Sequence, residues 1–148
     1  PGGPRADAVR GTVGATAAAA KTDKAPVREG IGGLKAGADV KETPASFGKP
    51  VASRKIRLEE DPFTVERYAN GLIVVSQDGG VILVVAGEGS QEKTSRNVKA
   101  GSGEEEVFTL HGRSFDVQAV TGGKNLVYKE QGVAFRIRDG KVVSWMVF

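Results

Sequence analysis

The chain has 148 residues, a formal net charge of +3 and no cysteine, so a disulfide framework and a thiolate metal site are both excluded. That length suits about one domain, and the longest apolar runs, LIVV at 72–75 and VILVVA at 81–86, fall far short of the ~20 residues a membrane helix needs. The charge is unevenly placed: residues 1–55 carry ten Lys/Arg against five Asp/Glu, and residues 56–148 carry eleven against thirteen. The basic balance is therefore a basic front on a mildly acidic body, which argues against a uniformly basic nucleic-acid binder.

Residues 1–55 read as an arm. Gly, Pro and Ala supply 26 of these positions. The large apolar residues, among them Val27, Ile31, Leu34, Val40, Phe47 and Val51, show no sustained spacing of 2 or of 3–4 residues, so neither strand nor amphipathic helix is specified. TAAAAK at 16–21 is too short a helix to persist alone. With little apolar surface to offset ~1–2 kcal/mol of backbone ordering per residue, the segment is expected to be disordered by itself. Any order must then come from a partner surface, and those six apolar residues are the expected anchors. The first residue is Pro rather than Met, which predicts a trimmed start and fits an organellar protein whose targeting segment has been removed.

Residues 56–148 read as an antiparallel β domain. Asn70-Gly71, Asp78-Gly79 and Asp139-Gly140 accept positive φ at low cost and mark hairpins. The expected strands are 64–69, 72–77, 81–86, 106–111, 115–121, 125–130, 133–138 and 141–148. The first competes with a short helix from Asp61-Pro62 through Arg67, because Asp and Pro suit a helix start. About seven strands with glycine turns predict a small antiparallel barrel or sandwich.

In the last hairpin, a two-residue Asp139-Gly140 turn predicts Ile137, Phe135 and Val133 opposite Val142, Ser144 and Met146 on the core face. The other face would carry Arg136 and Arg138 beside Val143, Trp145 and Val147, with Arg136 within stacking reach of Trp145. A half-apolar face with Arg and Trp resembles the centre of an interface. Arg136 and Trp145 therefore join the expected partner-binding residues.

Catalytic and cofactor patterns fail one by one. VILVVAGEGSQEKTS at 81–95 places Gly87, Lys93 and Thr94 at phosphate-loop spacing, but Glu92 stands at the second glycine position, where a carboxylate repels phosphate. SRNVKAGSGEEE holds one large apolar residue and two glycines, so no packed helix is expected to follow. Residues 87–105 are instead expected to form a long polar loop, solvated or touching a partner. His111 is the only histidine, which rules out an imidazole-rich metal site; it is expected on a strand edge. Glu104, Glu105 and Glu106 are expected to be a solvated charge run. No catalytic, cofactor or metal residue is assigned.

The expected function is thus a non-catalytic accessory subunit of a larger multiprotein assembly, tied to its neighbours by the arm and docked through the β domain. An RNA-associated β domain, such as a ribosomal accessory protein, is the second reading, since basic arms neutralise phosphates. A small-ligand-binding barrel is the third. No transmembrane segment is expected, which leaves peripheral membrane association through partners open.

Overall fold

The computed structural model describes residues 27–148. Eight strands form one antiparallel sheet: β1 (Ala52–Leu58), β2 (Asp61–Arg67), β3 (Leu72–Gln77), β4 (Gly80–Ala86), β5 (Asp116–Val120), β6 (Gly123–Tyr128), β7 (Val133–Arg138) and β8 (Lys141–Val147). Their order is β1-β2-β3-β4-β8-β7-β6-β5. The all-β antiparallel class holds, and the sheet is open, with β1 and β5 as its edges. It is therefore not closed into a barrel.

Among the described residues, two single-turn 3-10 helices at Val40–Glu42 and Ala45–Phe47 precede β1, and one helix, α1 (Glu104–His111), lies between β4 and β5. Helix α1 replaces the strand expected at 106–111. Its first turn is Glu104, Glu105 and Glu106, and carboxylates there complement the positive end of the helix dipole. Glu106 also accepts a hydrogen bond from the Gly103 N–H at 3.3 Å. Val107 and His111, one turn apart, face inward and are buried. The segment before α1 was thus misjudged as unable to lead into a packed helix. Asp61-Pro62 opens a strand, not a helix, and β1 lies where the arm was expected to end.

One face of the sheet carries the core. Leu72, Val74, Val84, Leu126, Val133, Phe135, Trp145 and Val147 are fully or almost fully buried there. Ile31, Leu34, Phe47, Val98 and Val107 cover them from outside the strands and belong to the same cluster. Part of the described arm is therefore core material: Ile31 is 0% exposed and Leu34 1%. Three residues expected to anchor on a partner instead anchor on their own sheet. Residues 1–26, including the 16–21 run, lie outside the described residues.

The sheet is built from two equivalent four-stranded meanders, β1–β4 and β5–β8, meeting where β4 pairs with β8. The turn Asp78-Gly79 recurs as Asp139-Gly140, and all four residues have positive φ, as a two-residue hairpin turn of this hand demands. Bulges recur between Val75 and Ser76 and between Arg136 and Ile137. Gly71 O accepts from Gly87 N at 3.0 Å, and Gly132 O accepts from Phe148 N at 3.0 Å. The segment ahead of each meander docks identically as well. Gly37 N donates to Val81 O and Val40 N to Gly79 O, matched by Gly101 N to Val142 O and Glu104 N to Gly140 O, all at 2.7–2.9 Å. A pseudo-two-fold axis normal to the sheet relates the units.

The bulge corrects the register expected for the last hairpin. Arg138 still pairs with Lys141 and Ile137 with Val142, but Val143 is extra, so Arg136 pairs with Ser144 and Phe135 with Trp145. A one-residue slip moves side chains to the opposite face. Trp145 consequently joins the core at 1% exposure, and its ring stacks near Phe135 at 6.3 Å.

Candidate docking face

The face opposite the core can be read from the register. One cross-strand row crosses all eight strands: Ala52, Arg67, Ile73, Val85, Met146, Ala134, Val127 and Asp116. Its middle five residues are apolar and, at ~4.8 Å between strands, span ~19 Å. Val85 and Met146, which are equivalent in the two units, pair with each other at the pseudo-axis. Ile73, Val85, Met146 and Val127 are half-buried. Ala134 is buried, yet it stands outside the core cluster. Among the described residues, the buried hydrophobic residues from outside the strands all belong to the cluster on the opposite face.

A second row differs between the units. In the first it reads Arg54, Val65, Val75 and Leu83, with Ile56 and Phe63 paired beyond it. In the second the equivalent row is Gln118, Asn125, Arg136 and Ser144. There Arg136 Nε donates to Asn125 Oδ1 at 2.8 Å and Asn125 Nδ2 to Gln118 Oε1 at 2.9 Å. Arg54 and Arg67 are exposed and make no ion pair among the described residues.

Of the expected partner-binding residues, Arg136 alone is on this face. Trp145, Ile31, Leu34 and Phe47 are core, and Val40 packs against the core from the edge. Val27 and Val51 remain exposed, at 73% and 59%; Val51 N donates to the carbonyl of Arg67 at 2.7 Å. Sequence reasoning missed Ile73, Val85 and Met146, because alternation inside apolar runs such as LIVV does not say which face is covered.

The strongest imitation of a catalytic site lies inside the core. Thr94 Oγ1 stands 2.8 Å from His111 Nε2, and His111 Nδ1 stands 2.6 Å from Gln131 Oε1. Thr94 Oγ1 already accepts from Arg96 N and Val98 N, both at 3.2 Å. Its own proton therefore points to Nε2, which leaves Nδ1–H to donate to Gln131. Gln131 Nε2 in turn donates to His111 O at 2.9 Å. Burial lowers the His111 pKa below its ordinary 6.5, opposed by the Gln131 hydrogen bond and Glu29. Thr94 and His111 are each 3% exposed, so the chain of groups locks a neutral imidazole where substrate has no access. His111 is thus a core residue of a helix, not a strand-edge residue. Tyr128, whose hydroxyl donates to Gly112 O at 2.7 Å, packs against the same ring, and burial pushes its pKa up to about 12.

The loop from 87 is likewise folded inward, with Val98 fully buried and Ser90 and Thr94 nearly so. These buried residues depart from the solvated loop expected at 87–105. The loop's N–H groups at Ser90, Glu92 and Thr94 through Lys99 all bond acceptors within the protein. A phosphate would need those donors free. Of the three glutamates, Glu104 pairs with Lys124 at 2.5 Å and Glu105 weakly with Arg113 at 3.7 Å. Two surface clefts, of about 310 and 270 Å³, are lined by residues such as Glu88, Lys141 and Val143, or Arg113, Asp116 and Lys129. Among the described residues, no cluster of three metal-ligating side chains occurs, and no helix is long and apolar enough to cross a membrane.

These features define an open antiparallel sheet, covered on one face and apolar along the centre of the other. The fold is similar over 82% of this chain to a cysteine-rich secretory protein from Staphylococcus aureus subsp. aureus Mu50, with TM-score 0.53 and 18% identity. This chain spans 47% of that protein's length, and at this identity the likeness concerns the fold alone. No protein-family model and no curated relative matches the chain.

Proposed function

We propose that this protein is a non-catalytic accessory module that docks a partner protein on the open face of its sheet, as a subunit of a larger assembly. The observation that carries the reading is the unbroken row Ile73–Val85–Met146–Ala134–Val127. Contiguous apolar surface rimmed by polar side chains favours association, because covering it removes apolar area from water. Arginine beside aliphatic residues suits an interface centre and its rim.

The test uses tagged protein expressed in its native source. Wild-type protein should retain a companion in fixed stoichiometry, and a Val85→Glu variant should lose it while keeping the wild-type melting temperature. A companion held equally by both proteins would end the docking reading. Exposed Val27 and Val51 supply secondary contacts in the same picture, and Val27→Ser with Val51→Ser should weaken the complex without abolishing it.

A further inference from the structure

Equivalent positions in the two units carry opposite chemistry on the open face. Val65, Val75 and Leu83 of the first unit correspond to Asn125, Arg136 and Ser144 of the second, and Arg54 corresponds to Gln118. The second unit's polar groups satisfy one another through the Arg136–Asn125–Gln118 chain. In the first unit the row is aliphatic and adjoins Ile73 and Val85, so the apolar area is continuous. Arg54 and Arg67 border that area and are exposed, without an ion pair among the described residues.

We infer that the first unit's half of the open face is the anchor site, and that its occupant is a segment of a partner protein in which aliphatic or aromatic side chains are flanked by Asp or Glu. This rests on the docking reading above. The aliphatic floor takes the apolar side chains, since each buried methylene contributes about 0.8 kcal/mol. Arg54 and Arg67 lie on neighbouring strands at its border, and a guanidinium fork binds a carboxylate through two parallel hydrogen bonds. The second unit offers no comparable floor, and Arg136 already donates its Nε proton within the chain.

A random dodecapeptide display library selected on the immobilised full chain tests this. Selected peptides should combine apolar residues with Asp or Glu, and their affinity by fluorescence anisotropy should fall as NaCl rises from about 50 to about 300 mM. The double change Arg54→Glu, Arg67→Glu should weaken binding by about tenfold or more. Gln118→Glu or Arg136→Gln should change it by less than about twofold. Two outcomes overturn the assignment of the anchor half while leaving docking on the open face standing. One is selection of peptides rich in Lys and Arg; the other is binding lost with Arg136→Gln but indifferent to Arg54 and Arg67. Binding that ignores every open-face change, Val85→Glu included, or a library that yields no saturable ligand, overturns both.

Discussion

Replacing Thr94 by Val keeps the side chain's size and removes one oxygen that serves three bonds. Thr94 Oγ1 accepts from Arg96 N and Val98 N and donates to His111 Nε2. Arg96 is an exposed residue, so water can take over its N–H at little cost. Val98 is 0% exposed and His111 3%, and an orphaned buried donor or acceptor costs about 1–3 kcal/mol each. The expected loss is about 3 kcal/mol, which for a domain of this size lowers the melting temperature by about 10 °C. Thr94→Ser keeps the hydroxyl and loses only a methyl, so it should cost about 1 kcal/mol. Urea titration followed by fluorescence of the single, buried Trp145 separates the two, because its indole leaves the core on unfolding. Thr94→Val within about 1 kcal/mol of wild type, or Thr94→Ser equally damaging, would refute the bonding scheme.

The same site predicts a pH dependence. With the folded His111 pKa depressed below 6.5, its contribution is fully present above pH 6.5. As the pH falls below that value the unfolded chain binds a proton first, and stability declines until the folded value is passed. Urea midpoints at several pH values should show this slope, and His111→Gln should flatten it. Ile31→Ala should cost about 3 kcal/mol by opening a cavity, whereas exposed Val27→Ala should shift the urea midpoint by less than about 0.5 kcal/mol equivalent. The β1–β2 turn places Glu59 at φ 49° and Glu60 at φ 74°, a conformation glycine adopts freely, so Glu60→Gly should stabilise by about 1 kcal/mol in thermal melts. Val75→Arg, which installs the second unit's residue in the first, should keep the sheet's circular dichroism and change stability by less than about 1 kcal/mol. Val74→Arg on the core face should unfold it.

The β domain was legible where turn chemistry is explicit. Asp78-Gly79 and Asp139-Gly140 marked two hairpins, and the runs beside them became β3, β4, β7 and β8. The β1–β2 hairpin was not legible, because Glu59-Glu60 carries no glycine or asparagine to announce positive φ. Helix α1 was hidden by its length, since eight residues give barely two turns of periodicity and EVFTLH alternates almost as a strand does. The arm was misjudged because Ile31, Leu34 and Phe47 reach the core singly, from turns. Isolated apolar residues show no period, although each buries as much area as a strand residue. For the candidate site, the Arg136 face was found but Trp145 was placed on it wrongly. A single bulged residue, Val143, reverses the face of the residues after it in β8, and nothing in the local sequence distinguishes it from Ile82 at the equivalent bulge or from an ordinary strand valine.

The internal duplication separates what folding requires from what it leaves free. Positions constrained by backbone geometry agree between the units: the left-handed Asp-Gly turns, the bulges, and Gly71 and Gly132 with their accepting carbonyls. The core faces agree in kind, with Val74 and Phe135, or Val84 and Trp145, closing one apolar layer. The second row of the open face does not agree, with Val65, Val75 and Leu83 against Asn125, Arg136 and Ser144, and each unit demonstrates that the meander forms with either chemistry there. An aliphatic row in the first unit is therefore not a demand of the fold. Half-exposed valine and leucine gain little stability from a surface that stays partly in water, and they raise the tendency to associate. A surface whose chemistry folding neither dictates nor benefits from is where a binding requirement would be expressed, and the two halves of this sheet express different ones.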